Sequence, residues 1–314
     1  MRKILAVVVF ILTGMTASCF AAQDAAECKA VRLGETSWAD NAATTGIAMS
    51  VLQAVGYAPV KSLVSSPIAF SSMQSDHLDV FLGDWSPTLD ASVNPLLAQG
   101  KLYQVPTPNL TGAKYTLAVP TYAAEQGLRS FQDISRFKEQ LDGKIYGIES
   151  SASGNQSIKN MIKKNLYGLG DFTLVESSEA GMLVEVTRAI AKKKPIVFLG
   201  WAPHPMNLNF KMTYLSGGDE VFGPDYGAAK VYTLTSKDYS VRCPNAARLV
   251  SNLKFAPDME SELMVGIADK KDPVELAKGW IQKNPKYLDS WLQGVTTFDG
   301  KDATSAARLY YGIR

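Results

Sequence analysis

Apolar residues fall along this chain in two rhythms. Short unbroken runs, Val80-Phe81-Leu82-Gly83 and Val197-Phe198-Leu199-Gly200, stop at turn residues, as buried strands do. The two runs end alike, in Asp84-Trp85-Ser86-Pro87 and in Trp201-Ala202-Pro203. Elsewhere the apolar positions recur at helical spacing. Ile47, Val51, Leu52 and Val55 predict a helix over 41–57 that stops near Gly56, and 181–194 reads as an amphipathic helix feeding the second run. Further strands are expected over 30–33, 115–119 and 144–148. Helices are expected over 155–165, 245–253, 259–268 and 273–283, with a polar helix near 135–141 and strand-turn-helix fragments over 68–79. Strands alternating with helices indicate α/β architecture with largely parallel pairing. Residues 107–112, rich in Pro, Gly and Asn, suit a crossing between two lobes, and 216–218 suit the return.

Ligands in open α/β sheets bind beyond the carboxyl ends of the strands. Trp85 and Trp201 stand at two such ends, Trp38 between the first strand and the first helix, and Tyr115 just past the first crossing. Four aromatic faces around one cleft suit a cation that accepts no hydrogen bonds, such as a trimethylammonium group. The bland alternative is packing at the lobe interface. Trp280 and Trp291 fall in or near helices and read as core. Asp40 has two readings: an N-cap of the first helix, or a carboxylate that accepts a ligand hydroxyl and repels a ligand carboxylate. The second favours choline over glycine betaine.

The ends of the chain add an address. Met1-Arg2-Lys3, an apolar run to about Met15 and small residues through Ala22 make a signal peptide over 1–21, cleaved near Ala21. Cys19 raises lipidation, for which Thr16-Ala17-Ser18 is a poor context. Of 32 basic residues, Arg2 and Lys3 leave with the signal, so thirty remain against 30 acidic ones. A formal charge of zero argues against nucleic acid or an anionic membrane as partner. Cys28 and Cys243 are then the remaining cysteines, and in an oxidising compartment they suit one structural bridge. Such a bridge builds the first lobe from both ends of the chain. With two histidines, His77 and His204, and no phosphate loop or nucleophile elbow, neither a metal site nor a cofactor is expected. His204, in Trp201-Ala202-Pro203-His204, reads as a packing or hydrogen-bonding residue rather than a catalyst.

The stretches Asp79-Val80-Phe81-Leu82-Gly83, Gly112-Ala113-Lys114-Tyr115-Thr116-Leu117-Ala118 and Gly143-Lys144-Ile145-Tyr146-Gly147-Ile148-Glu149 resemble the periplasmic choline-binding proteins of bacterial ABC importers. So do 195–206 and Tyr214-Leu215-Ser216-Gly217-Gly218-Asp219. They lie within the wider family that binds glycine betaine, choline and related quaternary amines. The resemblance implies a two-lobe periplasmic binding protein fold (type II), with hinge-linked lobes and a ligand cleft between them. Lobe 1 would span 22–112 plus 217–314, and lobe 2 would span 113–216. It implies an aromatic box of Trp38, Trp85, Tyr115 and Trp201, with Asp40 taking the choline hydroxyl, and it agrees with a Cys28–Cys243 disulfide. It also implies an ABC permease as partner, a monomeric chain and no enzymatic activity. The family's choline binders carry an asparagine in the loop after the Gly-Ile-Glu strand. Ala152 takes that place here, while Asn155 matches a different, helix-starting asparagine and is a weaker candidate contact. The departure leaves carnitine or glycine betaine as rival ligands. An exported enzyme acting on a quaternary amine is the rival from another class.

Overall fold

The computed structural model describes residues 24–313. The expected signal segment, with Cys19, lies outside them. Ten strands among the described residues are β1 (Arg32–Glu35), β2 (Val60–Leu63), β3 (Val80–Ser86), β4 (Leu102–Gln104), β5 (Leu110–Pro120), β6 (Lys144–Tyr146), β7 (Thr173–Val175), β8 (Phe198–Ala202), β9 (Met212–Tyr214) and β10 (Ala228–Ser236). Their path is β2-β1-β3-β10-β5-β8-β6-β7, with β4 on β10 and β9 on β5. The two echoed runs are β3 and β8, buried almost throughout, and a proline joined by a cis peptide bond follows at Ser86-Pro87 and at Ala202-Pro203.

The pairing is mixed rather than largely parallel. β1 pairs in parallel with β2 and β3, and β6 with β7 and β8. β10 runs antiparallel to β3, β4 and β5, and β5 antiparallel to β8 and β9. The reason is β10, a strand the sequence reading passes over, which enters the middle of the sheet from the far end of the chain. The fragments over 68–79 fold as a helix, Ser66–Gln74, and the expected polar helix near 135–141 is only the short turns Phe131–Ile134 and Ser135–Phe137.

The passage between the lobes is built from paired strands, not from a loose connector. β5 pairs with β10 through Ala113↔Ala229 and Lys114↔Ala228, then with β8 from Lys114↔Ala202 onward. Gly227 sits at this crossing with φ 71°, where a Cβ would lie 2.1 Å from the Tyr115 carbonyl oxygen. Only glycine fits both that backbone and that approach. Residues 216–222 still belong with β8's side of the molecule: Ser216 bridges Ser130, and the Phe222 ring meets Tyr115 and Phe131.

Sequence-distant segments meet in one body. Cys28 and Cys243 are disulfide-bonded across a sequence separation of 215. Beside them the Asp24 carboxylate accepts the N–H groups of Asn245 and Ala246 and the Tyr57 hydroxyl. Burial alone would raise the Asp79 carboxyl, but hydrogen bonds from Arg32 and Arg242 hold it below its ordinary value. That carboxylate thereby ties β1 to the start of β3 and to the segment after β10. Trp280 and Trp291 are buried in the helical layer of this body, as their helical setting predicts.

Candidate functional site

The helix Ala39–Ala54 begins directly after Trp38, its N-cap residue, whose side chain caps nothing. Asp40 is therefore inside the first turn and is not the cap. Its carboxylate benefits from the helix dipole there, and it accepts the Trp85 indole N–H at 3.0 Å. β3 delivers Trp85, β8 delivers Trp201, and β5 delivers Tyr115 directly opposite Trp201 in the ladder. The Trp85 and Tyr115 ring centroids stand 6.0 Å apart, and those of Tyr115 and Trp201 stand 6.1 Å apart at 78°. Together with Trp38, Asp40, Ile148 and Ser153 these rings line one small, narrow pocket.

Five of the six residues singled out in the sequence thus line one pocket. Asn155 does not. Its amide accepts the Ile148 N–H at 3.0 Å, donates to the Ile148 carbonyl at 2.9 Å and donates to Glu176. It is a fully satisfied clamp on the loop behind the pocket. Its effect on the site is to hold Ile148, which does line it. Ile148 lies inside the Gly-Ile-Glu run and Ser153 in the loop that follows it, and neither carries a ligand signal in the sequence.

Tyr115 is fixed from the same loop. Its hydroxyl accepts the Gly154 N–H, and burial raises its pKa far above the ordinary value. A Cβ on Gly154 would lie 2.4 Å from that oxygen. Gly154→Ala is therefore expected to push the Tyr115 ring off its position and weaken ligand binding about tenfold, ~1.4 kcal/mol. An unchanged Kd by titration would show that Tyr115 does not shape the pocket.

The electrostatics are one-sided. Burial, and then the nearby Glu179, push the Asp40 carboxyl up to about 6, against the Trp85 hydrogen bond and His204. Glu149 accepts the Trp38 indole N–H at 2.6 Å. Glu179 accepts the Ala39 N–H and faces Nε2 of His204 at 3.0 Å. Because Nδ1 of His204 accepts the Met206 N–H, Nε2 is the protonated nitrogen and donates to Glu179. His204 also packs edge-on against Trp201, with centroids 4.9 Å apart. It is a held packing and hydrogen-bonding residue, as its sequence context suggests. Among the described residues lining the pocket and the recesses on either side of it there are carboxylates but no lysine or arginine. A site of aromatic faces, one buried carboxylate and two half-buried ones attracts a soft cation.

Two α/β bodies joined by a strand-paired crossing, with an aromatic pocket in the seam, define an extracytoplasmic-type solute-binding protein of the hinge-closing class. The chain belongs to the family of substrate-binding domains of ABC-type glycine betaine transport systems, whose model matches residues 29–283. A solved ABC-transporter choline-binding protein in complex with choline is 46% identical over 91% of this chain and 99% of that one, with a TM-score of 0.89. An ABC-transporter choline-binding protein in an unliganded semi-closed conformation is 45% identical over 91% of this chain and 100% of that one, with a TM-score of 0.84. The glycine betaine/carnitine transport binding protein of Listeria monocytogenes is 32% identical over 52% of this chain, a match that spans 54% of that protein.

Proposed function

We propose that this protein captures choline outside the cytoplasmic membrane and presents it to an ABC permease, with Trp38, Trp85, Tyr115 and Trp201 enclosing the trimethylammonium head. The observation that carries this reading is the pocket itself: four aromatic side chains and one buried carboxylate, without a cation among its lining residues. Each desolvated face contributes ~0.5–2 kcal/mol toward a quaternary ammonium. Asp40 adds attraction and an acceptor for the choline hydroxyl. Glycine betaine and carnitine carry a carboxylate that Asp40 and Glu149 repel, so they bind more weakly in this reading. The similarity to a choline-complexed ABC-transporter protein supports the same ligand.

The lobes of this reading are 22–112 with the C-terminal part, and 113 onward. In this reading the return boundary is drawn near 227, because the Phe222 ring packs on Tyr115 and Phe131. The protein works as an exported, periplasmic monomer and performs no chemistry on its ligand. His204, the one histidine near the pocket, is engaged at both ring nitrogens, which leaves it no free position as a base. No helix among the described residues is long and apolar enough to cross a membrane.

A thermal-shift panel tests the ligand class. Choline is expected to raise the Tm most, tetramethylammonium less for want of the hydroxyl, and glycine betaine least. The largest shift coming from betaine would remove Asp40 as the hydroxyl acceptor.

The Asp40 carboxyl adds a pH signature. The choline cation favours the ionised form, so affinity falls as pH drops below about 6, and Asp40→Asn flattens the profile. The stability effect has the opposite sign. A carboxyl raised from its ordinary 3.8 to about 6 contributes stability that is fully present below 3.8 and lost as pH rises through 6. A Kd that is flat between pH 5 and about 7.5 in the unsubstituted protein would contradict this role of Asp40.

A further inference from the structure

Two carboxylates from the second lobe reach across the seam to the same short stretch of the first. Glu149, just beyond β6, accepts the Trp38 indole N–H at 2.6 Å. Glu179, in the first turn of the helix Glu179–Ala191, accepts the Ala39 backbone N–H at 3.2 Å. Their partners, 111 and 140 residues away, are the N-cap residue and the first residue of the helix that also carries Asp40. We propose that Glu149 and Glu179 form the closure latch of the cleft, positioning residues that set how long the bound ligand stays. The proposal rests on the choline reading above for its ligand.

Three features support a latch rather than a passive contact. First, both bonds join elements on opposite sides of the seam, so hinge opening must break them, while neither is part of either lobe's core. Second, each carboxylate is connected to the cage. Glu149 orients the Trp38 ring directly. Glu179 is held by Nε2–H of His204, whose ring packs on Trp201. A continuous line of contacts therefore runs from Trp201 through His204 and Glu179 to Ala39, between the two walls of the cage. Third, the latch is built to release. The second oxygen of Glu149 is buried without a hydrogen-bond partner in this closed arrangement. Opening gives that oxygen, and the Glu179 carboxylate, back to water, which offsets part of the lost bonds. A pair of contacts whose net worth is small is suited to tipping a two-state equilibrium by ligand rather than locking it.

The latch acts after the ligand has entered, so its signature is kinetic. Stopped-flow tryptophan fluorescence with choline is expected to show dissociation about tenfold faster in Glu149→Ala and in Glu179→Ala, with association changed less than threefold. Glu149→Gln, which keeps an acceptor and drops the charge, is expected to stay nearer the unsubstituted protein than Glu149→Ala. Unfolding temperatures of the unliganded variants are expected to match the unsubstituted protein, because the contacts join lobes rather than fill a core. Unchanged dissociation rates, or a loss carried entirely by association, would overturn the latch. So would a Gln variant as fast as the Ala variant, which would mean the charge acts on the ligand cation directly. If the unsubstituted protein gives no choline signal, the ligand reading fails and the same rates are read with glycine betaine. There the Glu149→Ala/Glu179→Ala double variant is expected to release its ligand about tenfold faster, and equal dissociation rates would overturn the latch independently.

Discussion

Trp201→Ala is expected to weaken choline binding about a hundredfold, and Trp85→Ala by at least as much. Losing one desolvated indole face removes ~2 kcal/mol of cation–π attraction, and the water admitted to the seam weakens the remaining faces. Two to three kcal/mol corresponds to roughly 30- to 150-fold in Kd. Trp85 carries a further role, because its N–H is the donor that orients Asp40. Trp85→Phe therefore separates the two: it keeps a ring and loses the hydrogen bond. Trp201→Phe keeps a face without that complication and is expected to lose less than tenfold. Trp201 is nearly inaccessible at the end of β8, and alanine there leaves a cavity that lowers stability as well. The phenylalanine variants and a circular dichroism check on the alanine ones keep binding and folding apart. A Kd within threefold of the unsubstituted protein in folded Trp201→Ala would remove the cage from the account.

Replacing Cys28 and Cys243 together by serine is expected to lower stability far more than it lowers affinity. They are separated by 215 positions in sequence. In the chain-entropy account a bridge of that length stabilises by about 5 kcal/mol, which for a protein of this size is a Tm drop on the order of 10–15 °C. The bridge lies with Asp24, Tyr57 and Asn245, away from the aromatic pocket. The Kd for choline is therefore expected to change little at temperatures where the variant remains folded. A Tm within a few degrees of the unsubstituted protein would mean that the Asp24 network, not the disulfide, joins the two ends of the chain.

Much of the site was written locally. β3 and β8 were legible because a buried strand shows as an unbroken apolar run, and each ends on the residue that faces the pocket. Trp38 and Asp40 were legible from their place at a strand-to-helix junction. What the sequence concealed is what depends on distant partners. β10 alternates over Lys230, Tyr232 and their neighbours on a strand that meets β3 and β5 more than a hundred residues away, and nothing local announces antiparallel insertion into a sheet otherwise built from strand–helix units. Asp40 matched an N-cap by position, yet the cap is Trp38, two residues earlier. Asn155 matched a motif and was drawn toward the ligand, while its amide is consumed by Ile148 and Glu176. Glu149 lay inside a quoted run and Glu179 in none. Both earn their place only once Trp38 and Ala39 are brought to them across the seam. The first crossing between lobes is stiffer than its composition suggests. Proline and glycine near 107–112 suggested a loose linker, but Leu110 onward is strand, and pairing with Ala228 and Ala229 stiffens the passage.

The most direct test of the central claim is calorimetric titration of the exported form, stripped of bound ligand, with choline and glycine betaine in parallel. The account predicts choline binding at micromolar Kd or tighter (roughly 8 kcal/mol or more) and betaine at least tenfold weaker. Tighter binding of betaine, or no heat with either in protein shown to be folded and empty, would contradict it.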